Sequence, residues 1–167
     1  MHRTLSKSPT TQRETFIRLY RDLSPRVLGY LLRRMPSRTD AEDVLQETFL
    51  AAYKGQHQYR GSAQPLAWLL GIARRRCAEH LRQPDSAPLQ ESDAIPEDIA
   101  ARVVQALTLE EAVATLPQSL QEALEFIVIQ GLTYKEAAQA LDVPVGTLKW
   151  RVHEATRLLR QRLETSQ

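Results

Sequence analysis

From Thr15 to Met35 apolar residues recur every three or four positions, at Phe16, Leu19, Tyr20, Leu23, Val27, Leu31 and Met35. That spacing describes one face of a helix or of a helix pair. Ser24-Pro25 reads as a restart within it, because Ser is a good N-cap and Pro at the first helical position gives up only an amide that lacks a partner there. A further helix is expected from about Asp40 to Tyr53, with Asp40, Glu42 and Asp43 crowding the first turn at the positive end of the dipole. Leu45, Phe49 and Ala52 mark its apolar side; Asp43, Gln46 and Glu47 cluster on the opposite one. Periodicity lapses from Lys54 to Gln64, a stretch with two Gly that reads as a loop. It returns in a helix from Pro65 to Arg82, whose inward face is Leu66, Leu69, Leu70, Ala73, Cys77 and Leu81 and whose outer side carries Arg74, Arg75, Arg76 and Arg82.

Residues 84–108 hold Pro84, Pro88 and Pro96 among Ser and acidic residues and read as a linker, with a short helix near Ile99 to Leu107. Beyond it, three capping-box spacings mark helix starts: Thr108 with Glu111, Ser119 with Glu122, and Thr133 with Glu136. The last two helices, Tyr134–Leu141 and about Pro144–Leu163, lie so close together that they form a helix-turn-helix. Small Ala137 and Ala138 let the two approach, and Asp142 in the turn is among the few residue types that tolerate a left-handed backbone. Leu148, Val152, Ala155, Leu159 and Leu163 form the buried stripe of the second helix, which turns Lys149, Trp150, His153 and Arg157 outward. No repeat and no strand pattern is visible. The expected fold is all-α: an N-terminal helical bundle over residues 12–83 and a C-terminal helix-turn-helix domain over 108–164, joined by a flexible acidic linker over 84–107.

Charge sharpens this division. Residues 1–83 carry 15 basic and 7 acidic side chains (+8), residues 84–108 carry 1 and 5 (−4), and residues 109–167 carry 6 and 8 (−2). A basic half suits a polyanion, although ordinary solvated surfaces are basic too. The composition, 43% hydrophobic and 25% charged, is that of a soluble globular chain. With no apolar run near the roughly 18 residues of a membrane span, and no apolar core at the N-terminus, a cytoplasmic protein without membrane insertion is expected. The single cysteine, Cys77, forms no internal disulfide.

Enzymatic chemistry finds no foothold: there is no Gly-rich phosphate loop and no convincing nucleophile set. Cys77 and His80, three apart on a helix, could in principle place two metal ligands together, but a structural zinc needs about four. They read as a buried thiol and a surface His, and no catalytic residue, metal or cofactor is expected. Binding chemistry is better represented. An outward Trp150 among cations could meet a thymine methyl or a sugar while the cations hold phosphate, and the alternative is an amphipathic surface helix with a partly buried Trp. Tyr59-Arg60-Gly61 and the arginines that follow combine a stacking ring with backbone neutralisation, as single-stranded DNA requires; Trp68 reads as core packing and Tyr59 as the stacking candidate. Asp43, Gln46 and Glu47 are either a solvated face or a protein-docking one.

Taken together, DAEDVLQETFLAAY (40–53), Tyr59-Arg60-Gly61 with WLLGIARRRCAEHLR, and LPQSLQEALEFIVIQGLTYKEAAQALDVPVGTLKWRVHEA resemble the extracytoplasmic-function sigma factors of bacterial RNA polymerase, from about Phe16 to Leu163. The resemblance implies that Asp43, Gln46, Glu47 and Phe49 hold core polymerase, at its β′ clamp, with further contact to β. It implies that Tyr59, Arg60, Gly61, Ser62, Gln64, Arg74, Arg75 and Arg76 serve the minus-ten element, the loop from Tyr59 to Gln64 capturing a flipped base. Thr147, Lys149, Trp150, Arg151, His153 and Arg157 would meet promoter DNA at the minus-thirty-five element. It further implies an anti-sigma partner. Four positions depart from the family's habit: Arg75 where an Asn is common, Trp150 where a Ser is common, and Glu154 and Thr156 where bases are common. These departures predict an atypical minus-thirty-five sequence. The competing reading is a stand-alone helix-turn-helix regulator that binds duplex DNA by itself.

Overall fold

The computed structural model describes residues 9–57, Tyr59, 64–82 and 109–165, and every regular element among them is helical. The chain divides into two compact units, at 90/91. The linker expected over 84–107 and the short helix expected near Ile99 to Leu107 lie outside the described residues.

The first unit is built from α1 (Pro9–Leu32), α2 (Arg38–Gly55) and α3 (Pro65–Leu81), each packed on the other two. The restart expected at Ser24-Pro25 does not occur: α1 runs through with Pro25 inside it. A proline in a helix interior removes one hydrogen bond and crowds the carbonyl four residues back, costing about 3 kcal/mol. Here Pro25 stands on the exposed side, where water can reach the freed carbonyl, while the turns that follow bury Val27, Tyr30 and Leu31 almost completely. Burying three large side chains is worth about 1.5–3 kcal/mol each, so packing outweighs the local break. Tyr30, absent from the expected apolar face, is 1% exposed, whereas Tyr20, expected within it, is 43% exposed.

Helix α2 begins two residues before the expected Asp40. Ser37 caps it: its hydroxyl accepts from the Asp40 amide at 3.1 Å and donates to the Asp40 carboxylate at 2.6 Å. The core of the unit gathers Met35, Ala41, Val44, Leu45, Phe49 and Ala52 against Leu66, Leu69, Leu70, Ala73 and Cys77. Buried Thr48 donates its hydroxyl to the Val44 carbonyl at 2.7 Å, so that oxygen is not stranded. Leu81, expected inward, ends α3 at 44% exposure.

In the second unit residues 109–114 (α4) precede α5 (Gln118–Leu124), which continues as a π-helical turn over Glu125–Ile129, then α6 (Tyr134–Leu141) and α7 (Val145–Thr165). Of the three expected capping boxes, only one is observed among the described residues. Thr133 and Glu136 form it reciprocally, with Thr133 N donating to Glu136 Oε2 at 2.9 Å and Glu136 N to Thr133 Oγ1 at 3.3 Å. Ser119 lies inside α5, whose cap position is Pro117, so the Ser119 box does not form. Thr108 lies outside the described residues. The π turn closes with Gln130 N on Glu125 O at 2.9 Å, and Gly131, at φ +65°, reverses the chain so that Leu132 N reaches Phe126 O at 3.1 Å.

Leu116, Leu120 and Ala155 form the centre of this core, with Leu124, Leu158 and Leu159 packed around them. Arg162, near the end of α7, donates to the Ala112 carbonyl at 3.2 Å and to the Thr115 hydroxyl, tying that helix to α4. Leu148 and Ala155 of the expected stripe are fully buried and Val152 and Leu159 half-buried, but Leu163 is 37% exposed.

Candidate functional site

The second unit presents a helix-turn-helix formed by α6 and α7. Ala137 and Ala138 are buried where α6 meets its neighbours, as their size allows. Asp142 takes φ 54° and ψ 51°, and its amide reaches Gln139 O at 3.2 Å while Val143 N reaches Ala138 O at 3.0 Å. Both bonds of a Schellman ending are therefore present, and one left-handed residue turns the chain within the span between α6 and α7.

With Leu148 and Ala155 inward, the opposite side of α7 carries Lys149, Trp150, His153 and Arg157, all exposed, with Trp150 at 59%. Thr147 and Arg151 are half-buried at the flanks. Arg157 is ion-paired: Nη2 donates to Glu154 Oε1 at 2.6 Å and Nε to Glu154 Oε2 at 2.9 Å, while Nη1 donates to Gln161 Oε1 at 3.0 Å. The Arg157 hydrogen bonds, aided by its charge and that of His153, hold the Glu154 carboxyl below the usual carboxylate range. An acid three residues before an Arg on one helix is the spacing that makes this pair.

In the first unit Asp43, Gln46 and Glu47 are exposed on α2. With Leu50, Ala51 and Lys54 of α2 and Arg76, Glu79 and His80 of α3 they line an open groove of about 860 Å³. Phe49 does not belong to this face. It is 4% exposed and lies edge-on to Tyr20 at 4.7 Å and to Phe16 at 6.2 Å, so in this chain it packs α1 against α2. The reason is helical geometry: Phe49 follows Leu45 by four residues and continues the apolar side of the helix.

His80 was expected at the surface, yet it is mostly covered, and its Nε2 stands 3.3 Å from Asp40 Oδ1. Ser37 chiefly, and His80 after it, hold the Asp40 carboxyl below its ordinary range. Cys77 turns the other way, its buried thiol donating to Met35 Sδ at 3.3 Å, so Cys77 and His80 serve separate contacts.

Tyr59 lies tilted on Trp68, ring centroids 4.8 Å apart, and burial pushes its phenol up. The stacking candidate is thus coupled to Trp68, expected in the core and found only half-buried. Trp68, Ile72, Arg75 and Arg76 line a smaller hollow with Ala51, Gly55 and Glu79. The Arg76–Glu79 ion pair, 2.9 Å, borders both hollows. Arg75 and Gln64 are exposed and Arg74 is half-buried; Arg60, Gly61 and Ser62 lie outside the described residues.

Residues 19–86 match Sigma-70 region 2 and residues 106–159 match Sigma-70, region 4. The RNA polymerase sigma-H factor of Pseudomonas aeruginosa is 30% identical over 156 residues, 83% of this chain and 81% of that protein. The ECF RNA polymerase sigma-E factor of Haemophilus influenzae is 28% identical over 151 residues, 80% of each. Among solved structures, the sigma factor RpoE in its co-crystal with the anti-sigma factor NepR from Bartonella quintana shares the fold, with a TM-score of 0.71 at 22% identity, over 92% of this chain and 99% of that one. The matched regions, the helix-turn-helix and the identities together give the assignment: the chain belongs to the extracytoplasmic-function (ECF) family of RNA polymerase sigma factors, initiation proteins and not enzymes.

Proposed function

We propose that this sigma factor docks on the β′ clamp of core RNA polymerase through Asp43, Gln46 and Glu47, contacts β as well, and acts in the cytoplasm. The observation that carries the reading is the division of α2: Val44, Leu45, Thr48 and Phe49 are buried, and the three polar side chains stand exposed together beside Leu50. An apolar residue within a polar rim is the composition of a protein contact, and Leu50 is 54% exposed.

The domain limits proposed from sequence are 12–83 for docking and the minus-ten element, 84–107 for the linker and 108–164 for the minus-thirty-five element. Tyr59 on Trp68 supplies an aromatic platform beside Arg75, suited to an unpaired base and its phosphate. Lys149, Trp150 and His153 on α7 suit the major groove, which admits a helix. An anti-sigma partner is part of the proposal, supported by the family and by the shared fold with an RpoE solved in complex with one.

The test measures binding of the full chain to bacterial core RNA polymerase. The wild type is expected to bind tightly, and a folded variant carrying Asp43→Ala, Gln46→Ala and Glu47→Ala is expected to lose on the order of a hundredfold in affinity, as when several interface anchors are removed. A folded wild type that ignores core polymerase and binds specific duplex DNA alone would establish the stand-alone regulator instead.

A further inference from the structure

Trp150, Glu154, Arg157 and Gln161 follow one another at spacings of four, three and four residues, so they form a line along the exposed side of α7. Among them Glu154 is the group that does not suit a polyanion, since phosphate repels it. Its carboxylate is held by both oxygens in the Arg157 fork, at 2.6 and 2.9 Å, and is the less exposed partner, 24% against 46%. Gln161 steadies the guanidinium from the far side at 3.0 Å. Two consequences follow. Arg157 is locally neutralised and has three of its donor atoms engaged, which weakens it as a phosphate clamp. The carboxylate, fixed in direction, keeps unused lone pairs and can only accept.

In a major groove the donors available to an acceptor are the exocyclic amines of cytosine and adenine. Adenine places its N7 acceptor beside the amine, where it would face the second carboxylate oxygen; cytosine places no acceptor there. We infer that Glu154 is a specificity-determining residue of the minus-thirty-five contact, that it accepts the N4 amine of a cytosine, and that Arg157 is the positioning residue that holds it for this purpose. The inference rests on the proposed promoter-binding function and adds the base that this helix reads.

The test uses the full chain assembled with bacterial core polymerase and a promoter library randomised over the upstream element, with bound sequences counted. Holoenzyme formation is measured first and separately. Wild type is expected to enrich cytosine at one position. Glu154→Ala is expected to lose that enrichment by on the order of tenfold and leave other positions unchanged, the discrimination typical of one base contact. Glu154→Arg is expected to move the same position to guanine, and Arg157→Ala to weaken the cytosine preference without changing its identity. If Glu154→Ala keeps the wild-type preference and merely binds every sequence more tightly, Glu154 acts through charge alone and the inference falls while the promoter function stands. Holoenzyme that shows no upstream preference also overturns it. Failure to form holoenzyme removes the proposed function itself, and the first measurement reads that outcome.

Discussion

Asp40 shows how much one carboxylate can organise. It receives the Ser37 hydroxyl at 2.6 Å, closes the start of α2, and reaches across to His80 near the end of α3. Ser37→Ala removes the cap and is expected to cost about 1 kcal/mol, read as a lowered midpoint in urea unfolding. The pH dependence follows from the direction of the shift. Because Asp40 is held below its ordinary value in the folded chain, its ionised form favours folding above the unfolded pKa, and this contribution is lost as pH falls through the folded one. Ser37→Ala is expected to bring the Asp40 carboxyl back toward its ordinary value in an NMR titration and to narrow the acid range in which the protein stays folded. An unchanged Asp40 titration in that variant would show that Ser37 does not set it.

At the scale of elements, the joint between α6 and α7 depends on Asp142, the sole non-glycine residue at positive φ among those described. A β-branched side chain is costly in that conformation, so Asp142→Val is expected to destabilise the second unit by about 1–2 kcal/mol. Asp142→Gly, which removes the Cβ contact, is expected to be near neutral. Thermal unfolding of the two variants checks the contrast, and equal losses would mean that the Asp side chain, not the backbone angle, matters. Helix α1 teaches the converse lesson. Ser24-Pro25 has the local chemistry of a helix start, yet the helix continues, because Val27, Tyr30 and Leu31 are held against α2 and α3. Local preference of a few kcal/mol loses to burial of comparable groups several times over.

At the scale of the molecule, each unit has its own core: Val27, Leu31, Leu69 and Leu70 in one, Leu120, Phe126, Leu141 and Leu148 in the other. Truncating a fully buried aromatic costs about 3–5 kcal/mol, and that loss is expected to stay in the unit concerned. Phe126→Ala should therefore strip hydrogen-exchange protection from residues 109–165 while α1, α2 and α3 keep theirs. Loss of protection in both units together would show a single cooperative fold.

The amino-acid pattern by itself determined the helical class, the division into two units, the Thr133 box, the left-handed turn at Asp142 and the exposure of Trp150, Asp43, Gln46 and Glu47. These are all consequences of spacing along one chain, of a residue type's local options, or of a periodic apolar stripe that names its own opposite face. What only the tertiary structure decided depends on residues distant in sequence or on sums of packing. Phe49 is buried because Phe16 and Tyr20 of α1 lie against it. His80 found Asp40 forty positions away, and Cys77 found Met35. Tyr59 and Trp68, nine positions apart, became one platform through the contact of their rings. Periodicity assigns a residue to a side of its helix; which helix lies against that side is settled by the packing of the whole core.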